Sequence, residues 1–404
     1  TLVYFLWDLL ESADGGDPVA NFILDNRLIC AVPLINPDGY HYNQARLPDG
    51  GGLWRKNRRK IDHDTYGVDL NRNYGPEKFW NSPNGGSSEY PGSQTYRGIS
   101  PFSEPETRAV RDFCRRHDFK VALNYHTYSN IIIHPYGFNG NQTRDSTLFR
   151  YMCQDMTVQN RYHFGLTHKS LGYKTRGNSD DWMYYPGDRK SRIMSMTVEV
   201  GNRRDGFWCA PHRILEHARE NLHLNYQAAW NADANIRPAD VLLEYDEPNY
   251  YLTVVYRNTG INDLETDTYL SVKSLDSRVR IGSGQIMIRD MPSAAQANEK
   301  FKIVEHKEIS NGAEIPVEVK ILQDGVPRRD TFKVTLLKSE SIPVFEHEEE
   351  PENWNYQQWG LEFSPERNSY VISDSPNKKY VEYENKFLTI EDPISLHNCT
   401  NAEL

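Results

Sequence analysis

Two short apolar runs each end in a side chain of a type that hydrolases use. Residues 121–125 lead into His126, and residues 193–198 lead into Glu199. Both runs predict buried strands of an α/β sheet, and in open α/β sheets the ligand site lies just beyond the carboxyl ends of the strands. We therefore expect this imidazole and this carboxylate to meet at one edge of a sheet, as part of a hydrolytic metal site.

A long region rich in Gly, Asn, Pro and Tyr, residues 40–102, supplies Asn71 and Arg72. Stretches of this length without regular structure are uncommon inside compact domains and are usually functional. We expect these two side chains beside His126 and Glu199, where they would add polar contacts to the same site.

The composition is typical of a globular protein and argues against two classes of function. The 404 residues predict two or three domains, and 38% hydrophobic with 25% charged residues is an ordinary balance. A net charge of -10 disfavours a nucleic-acid surface, which needs a basic stripe. No apolar run approaches the roughly 18 residues of a membrane span, and the five scattered cysteines predict neither a zinc knuckle nor a disulfide framework.

Residues 1–235 alternate helix-like and strand-like segments, which predicts one α/β domain. Its predicted elements are a helix over Val3–Leu10, a strand covered on both faces over Leu28–Ile35, a turn at Asn36–Gly39, a helix from a capping box at Ser103–Glu106 to about His117, a strand over Phe119–Tyr125, a helix over about residues 145–158, the strand ending at Glu199, and an amphipathic helix over Arg213–Trp230.

After Asn235 the pattern changes to short strands separated by turn signals. The predicted strands are Val241–Tyr245, Tyr251–Tyr256, Thr268–Val272, Ile315–Ile321 and Phe332–Leu336. This spacing predicts an immunoglobulin-like β-sandwich over residues 236–340. Residues 341–404, which contain the acidic run Glu346–Glu352 and two tryptophans, Trp354 and Trp359, predict the start of a second β-domain.

A set of short motifs resembles one enzyme family, in family order along residues 1–232. The motifs are Asn36–Tyr40 (NPDGY), Leu53–Lys56 (LWRK), Gly67–Asn73 (GVDLNRN), Tyr125–Ser129 (YHTYS), His134–Gly137 (HPYG), Ser179–Trp182 (SDDW) and Thr197–Glu199 (TVE). Together they resemble the zinc metallocarboxypeptidases of the pancreatic carboxypeptidase A and B type. The resemblance implies a mixed, open sheet of the eight-stranded type with helices on both faces, here incomplete, before the β-sandwich region.

The resemblance also implies a role for each of eight residues. His126 would be one ligand of a single Zn²⁺ ion and Glu199 the general base for the attacking water, two roles that zinc hydrolysis requires. Arg55 would polarise the scissile carbonyl, and Asp69 would orient a histidine ligand. The remaining four would bind substrate: Asn71, Arg72 and Tyr173 its free C-terminal carboxylate, and Asp180 a basic C-terminal side chain.

The chain departs from the family pattern in its zinc ligands. A catalytic zinc needs about three protein ligands, and the family takes two of them from an HxxE motif that precedes the helix beginning here near Thr1. We expect that motif upstream of Thr1, so the chain as given is expected to be inactive and to bind zinc weakly. His217–Glu220 also has HxxE spacing, but it lies in the predicted closing helix, where a charge pair is the expected role.

Three functions remain open at this point. The first is a secreted, extracellular or periplasmic carboxypeptidase that acts on peptides or proteins with a free C-terminus. The second is a binding module without a metal that still binds a peptide carboxylate through Asn71 and Arg72. The third is a murein-peptide peptidase or amidase on the same fold. No nucleic-acid partner and no transmembrane segment are expected, whereas the C-terminal β-domains could attach the protein to a surface.

Overall fold

A computed structural model describes residues 1–246, 249–282, 284–306 and 313–336. Beyond these it describes four short strands, Trp354–Asn355, Gly360–Ser364, Ser369–Ser373 and Thr389–Ile390, paired first with fourth and second with third. The acidic run and Trp359 lie outside the described residues, and the second β-domain over residues 341–404 stays a prediction. None of the helices in the described part of the chain is both long and apolar enough to cross a bilayer.

The first part of the chain contains ten helices and four strands among the described residues. The helices are α1 (Leu2–Asp14), α2 (Pro18–Asn26), α3 (Pro37–Arg46), α4 (Glu77–Trp80), α5 (Pro105–Arg116), α6 (Ser146–Met156), α7 (Thr167–Leu171), α8 (Ser179–Tyr184), α9 (Pro211–Glu220) and α10 (Leu222–Trp230). The strands are β1 (Val121–His126), β2 (Ile131–His134), β3 (His163–Leu166) and β4 (Met194–Glu199).

The four strands form one mixed sheet in the order β1-β4-β2-β3. β1 is parallel to β4, β2 is antiparallel to β4, and β3 is parallel to β2. Apolar side chains of β2 and β4 pack against α6 and α10 on one face, and α5 and α8 cover the other face. The predicted α/β class with helices on both faces is therefore confirmed, and four strands of the expected larger sheet are present in the described region.

The predicted strand over Leu28–Ile35 is wrong, because this segment forms no regular strand. Several of its apolar side chains are exposed, with Leu28 76% exposed. A strand needs a neighbour to pair with its backbone N–H and C=O groups, and this segment pairs with no strand among the described residues. β1 is likewise paired on one side only, with β4, and its residues are half-buried instead of fully buried as predicted.

The turn predicted at Asn36–Gly39 instead begins a helix. The side chain of Asn36 accepts a hydrogen bond of 3.0 Å from the backbone N–H of Gly39, and Pro37 occupies the first position of α3. Asn and Pro are favoured at these two positions because the first satisfies a free N–H and the second needs none. The motif therefore caps a helix that the sequence analysis did not predict.

Two helix boundaries also differ from their predictions. α5 begins after Glu104, and Ser103 Oγ contacts the Glu104 carboxylate instead of capping the helix, so the predicted capping box is wrong. The closing helix predicted over Arg213–Trp230 is divided into α9 and α10 at Asn221. Asn221 is buried and its side-chain amide bonds to the His217 carbonyl at 2.9 Å, which competes with the regular helical pattern.

The second part of the chain forms two antiparallel sheets of four strands each. Its strands are β5 (Ile236–Asp246), β6 (Asn249–Asn258), β7 (Thr268–Ser274), β8 (Val279–Ile281), β9 (Gln285–Ile288), β10 (Gln296–His306), β11 (Ala313–Gln323) and β12 (Val326–Leu336). The sheet orders are β5-β6-β10-β8 and β12-β11-β7-β9. Both sheets contribute side chains to one hydrophobic core, which is the predicted sandwich arrangement.

A buried polar interface joins the two parts of the chain. The guanidinium of Arg237 on β5 lies 3.0 Å from Asp155 on α6 and 3.2 Å from Asp330 on β12. Arg328, also on β12, is buried over the ring of Trp230 at the end of α10. These contacts stabilise one arrangement of the sandwich against the α/β sheet.

Candidate active site

His126 and Glu199 lie side by side at the ends of neighbouring strands. β1 and β4 are parallel and in a register that pairs Asn124 with Thr197 and His126 with Glu199. Because side chains alternate between the two faces of a strand, the polar residues of both strands lie on the same face. The structure thus brings together the two residues from which the sequence analysis began.

The same polar face holds Asp180, which projects from α8 and is buried. One carboxylate oxygen accepts hydrogen bonds from Asn124 at 2.7 Å and Ser195 at 2.8 Å, and the other from Thr197 at 2.6 Å. The sequence analysis did not single out these three donors. Their signal was present in β4, where Ser195, Thr197 and Glu199 alternate with apolar residues.

The loop that contains Asp69, Asn71 and Arg72 packs directly against this strand pair. Asp69 accepts a hydrogen bond from the backbone N–H of Asn71 at 3.2 Å, and residues 70–72 form a single 3₁₀ turn. The Asn71 side chain accepts from the backbone N–H of Ser179 at 2.9 Å and reaches within 3.4 Å of His126 Nε2. Asn71 is therefore fixed between the helix that carries Asp180 and the imidazole.

Arg72 is a buried cation without an acidic partner. Arg72 is only 5% exposed, and its guanidinium donates hydrogen bonds to the backbone carbonyls of Gly86 and Asn71, at 2.7 Å each. No ion pair of Arg72 occurs within the described ranges, and burial lowers its pKa. A buried guanidinium of this kind is costly unless an anion compensates it, so the site favours a negatively charged ligand.

Arg55 and Tyr173 occupy the more exposed side of the site. The guanidinium of Arg55 lies 2.9 Å from the carboxylate of Asp69. Tyr173 follows α7 and is 52% exposed. Neither contacts His126 or Glu199 directly, but both line the same cavity as these residues. Arg176 and Asn178, which are close to Asp180 in sequence, direct their side chains elsewhere, because Arg176 bonds to Ser82 and Ser87 and Asn178 bonds to Asp181.

Burial shifts the pKa values of His126 and Glu199 so that the neutral form of each side chain is favoured. Burial, reinforced by Arg55, lowers the pKa of His126 to about 4, so the imidazole is neutral at physiological pH. Burial raises the pKa of Glu199 to about 7, against the opposing effect of Arg55. A neutral imidazole is the form that binds a metal, and a carboxylate with a pKa near 7 suits a general base.

One cavity of about 1790 Å³ contains the whole site. Its lining includes all eight residues that the sequence analysis named: Arg55, Asp69, Asn71, Arg72, His126, Tyr173, Asp180 and Glu199. Further lining comes from the irregular segment 28–36 and from the unpaired edge of β1. Segments distant in sequence therefore converge on a single concave space, as expected for a binding site.

The described residues do not complete a zinc site. They contain no group of three or more His, Cys, Asp or Glu side chains that could hold a metal ion. One observation is consistent with a missing ligand: Asp69 Oδ2 is buried without a hydrogen bond of good geometry, although Arg55 lies nearby. A carboxylate oxygen in that state could accept a hydrogen bond from the ring N–H of a histidine ligand. The groups at the strand ends that could contact a metal are one imidazole, of His126, and one carboxylate, of Glu199.

The second HxxE-like sequence does not contribute to this site. His217 is buried in α9, where its Nδ1 lies 2.7 Å from Glu220 and its Nε2 lies 3.3 Å from Asp205. His217 and Glu220 thus contact each other within the helix, away from the cavity that holds His126 and Glu199. The four cysteines within the described part of the chain are free, and Cys399 lies outside it.

Comparisons with known proteins identify relatives for the first part of the chain. The family profile described as zinc carboxypeptidase matches residues 1–224. Carboxypeptidase B2 of Rattus norvegicus is 33% identical over 215 residues, which cover 50% of this chain and 48% of the relative. Carboxypeptidase A1 of Bos taurus is 31% identical over 233 residues, covering 52% of each.

A solved structure of bovine thrombin-activatable fibrinolysis inhibitor in complex with a tick carboxypeptidase inhibitor is 29% identical to the chain. It has a TM-score of 0.47 and covers 56% of this chain and 75% of that chain. The chain spans about half the length of the curated relatives that it matches.

Proposed function

Because this chain belongs to the zinc carboxypeptidase family, we propose that the protein hydrolyses the C-terminal peptide bond of peptides or proteins. In this proposal Glu199 is the general base that takes a proton from the attacking water and returns it to the leaving amine. Arg55 stabilises the negative charge that develops on the scissile carbonyl. His126 contributes one ligand to zinc, and Asp69 orients another.

The burial of Arg72 is the observation that carries this proposal. A guanidinium that is buried, charged and bonded only to carbonyls gains most from a ligand that brings a carboxylate. Asn71 and the exposed Tyr173 lie in the same cavity and could donate to that carboxylate. A terminal carboxylate next to a general base restricts cleavage to the last peptide bond, which is exopeptidase behaviour.

Asp180 supports a preference for C-terminal Lys or Arg. Its carboxylate is buried on the face that carries Glu199, and it forms no ion pair with any described residue. Burial raises the pKa of Asp180, and the three neutral donors around it oppose this shift because they bond to the charged form. A lysine or arginine side chain of the substrate would supply an ion-pair partner for this carboxylate.

Titration of the chain with a blocked dipeptide that ends in Lys tests the carboxylate grip without requiring turnover. We expect binding of the free acid and at least tenfold weaker binding of the C-terminal amide, because the amide offers Arg72 no charge. Arg72→Met should abolish the difference, whereas Glu199→Gln should bind the free acid as the parent does. Equal affinity of the parent chain for the free acid and the amide would refute the proposal that Arg72 binds the terminal carboxylate.

Turnover is tested separately, on protein with a completed and zinc-loaded site. We expect Glu199→Gln to remove activity while leaving substrate binding intact, and unchanged turnover in this variant would refute its role as the base. Retention of activity after complete zinc removal by a chelator would refute the zinc-dependent mechanism.

A peptide-tail binding module without catalysis is the second candidate. It is favoured by the lack of a metal-binding group of three side chains in the described part of the chain. Zinc titration of protein that includes the segment upstream of Thr1 separates the two functions: weak uptake and no turnover there, together with preserved peptide binding, would support the binding module. Tight uptake of one zinc ion per chain would instead indicate ligands beyond His126.

We also propose that the protein acts outside the cytoplasm, in a secreted, extracellular or periplasmic setting, on the basis of the family resemblance alone. Attachment to a surface through the β-strand region stays a prediction. Fractionation of cells that express the native gene tests the location, and recovery of the protein only in the cytoplasm would contradict it.

A further inference from the structure

A second cavity, of about 730 Å³, lies beside the first one. It is formed by β2, β3, α7 and the beginning of α6, and it shares Ser129 and His134 with the lining of the larger cavity. Its position follows from the sheet, because Ile131 pairs with Glu199 and His163 pairs with Ile131. Two strand spacings therefore separate His163 from Glu199, a backbone distance of about 10 Å.

The lining of this second cavity is basic in a protein whose net charge is -10. Arg150, His163 and Lys169 line it and are exposed, and no Asp or Glu lines it. None of these three side chains forms an ion pair with any residue in the described ranges. The two cations among them, Arg150 and Lys169, lie around a cavity that no carboxylate lines, and they create a local positive potential there.

The beginning of α6 adds to this potential. Ser146 and Thr147, its first two residues, line the cavity, and the backbone N–H of Thr147 has no hydrogen-bond acceptor among the described residues. The preceding residue, Asp145, does not cap the helix, because its carboxylate bonds to Tyr184 and Arg192 instead. The positive end of this eleven-residue helix is thus open towards the cavity.

His134 contributes a buried polar group to the same lining. It is 5% exposed, its ring stacks on Phe149, and its Nδ1 lies 3.0 Å from the carbonyl of Pro135. Its Nε2 has no hydrogen-bond partner within the described part of the chain. The rest of the lining is partly neutral and polar and partly apolar: Ser129, Gln142, Ser146, Thr147 and Ser170, together with Ile131, Phe164, Gly165 and Leu166.

We propose that this second cavity binds a ligand that carries phosphate or sulfate ester groups. Cationic side chains, hydroxyls and a helix N-terminus are the groups that bind tetrahedral oxyanions in proteins. A cavity of about 730 Å³ has room for more than one such group, so probes with two or more charged groups are suited to test it. The proposal does not depend on peptidase activity, because binding requires neither zinc nor Glu199.

Calorimetric titration of the chain with inorganic tripolyphosphate and with a trisulfated disaccharide tests the proposal. We expect binding of at least one probe, and the stronger one identifies the preferred oxyanion, phosphate or sulfate. Arg150→Gln and Lys169→Gln should each weaken binding by about fivefold, and the double variant by more than about tenfold. Arg150→Lys, which keeps the charge, should lose less affinity for the probes than Arg150→Gln does.

Arg116→Gln is the matched control, since Arg116 is an exposed cation on α5 that lines neither cavity. Its affinity for both probes should equal that of the parent chain. An equal loss in this control and in Arg150→Gln would show attraction by overall charge alone and overturn the proposal. Lack of binding by both probes to the parent chain, at low ionic strength and with the fold verified by circular dichroism, would also overturn it.

Discussion

Replacing Asp180 by Asn is the sharpest test of substrate preference. The substitution keeps the size of the side chain and removes its charge. Losing one partner of a buried, hydrogen-bonded charge pair typically costs 2–5 kcal/mol. Three neutral donors already surround the Asp180 carboxylate, so part of its field is compensated, and the lower part of that range applies. We expect the preference for C-terminal Lys over Leu to fall by about 2–3 kcal/mol, which is roughly 30- to 150-fold.

The assay compares the affinities of the chain for two blocked dipeptides that end in Lys and in Leu, each with a free carboxylate. Calorimetry gives both dissociation constants for the parent chain and the variant, and their ratio cancels any general loss of folded protein. Asp112→Asn serves as the control, because Asp112 lies on α5 outside the cavity and the variant has the same net charge.

Two results would refute this reasoning. If the parent chain bound both peptides equally, Asp180 would not face the side chain of the ligand. If Asp180→Asn kept the preference of the parent chain, another residue would have to provide it. A loss of affinity for both peptides in equal proportion would indicate a structural role in holding β1, β4 and α8 together.

Three further predictions follow from the same contacts. Gly177→Ala should weaken peptide binding at least tenfold, because its new Cβ would lie 2.3 Å from the carbonyl oxygen of Arg72, whereas Gly16→Ala, which also has a positive φ but open space around it, should keep the parent affinity. Arg237→Met should lower the free energy of unfolding by about 3 kcal/mol in urea titrations, since it leaves a buried carboxylate of α6 unpaired, and a change below about 1 kcal/mol would contradict that role. In the metal-free chain, Glu199 binds its proton more tightly in the folded state than in the unfolded state. The free energy of unfolding should therefore fall by up to about 3 kcal/mol between pH 4.5 and about 7 and level off above. Glu199→Gln should lack this dependence, and an identical pH profile for both proteins would refute the prediction.

The sequence predicted the position of the site better than the elements around it. His126 and Glu199 follow apolar runs that favour strands, and both strands form, although β1 is half-buried and not fully buried as predicted. The loop residues were predicted from motifs, because nothing in the pattern of residues 40–102 indicates where that loop packs. All eight predicted residues nevertheless line one cavity, although their individual roles stay predictions.

The wrong predictions of secondary structure share one physical cause. A local sequence pattern does not show which distant segment an element will pair with or pack against. Leu28–Ile35 has the composition of a strand, but strand formation depends on a neighbouring backbone, and none of the described strands pairs with it. The break at Asn221 depends on a carbonyl one turn earlier and on the buried environment of its amide. The short strands β2 and β3 contain four residues each, too few for a periodic pattern.

Two buried charges of opposite sign in one cavity constrain the ligand more tightly than either charge does alone. Neither Arg72 nor Asp180 forms an ion pair with any residue that the structure describes, and both act on the pKa of Glu199, so both lie within electrostatic range of it. Removing either charge from water is costly without a partner. A simple anion would compensate only Arg72, and a simple cation only Asp180. A C-terminal Lys or Arg carries both charges on one residue, which supports this class of substrate over a neutral peptide tail.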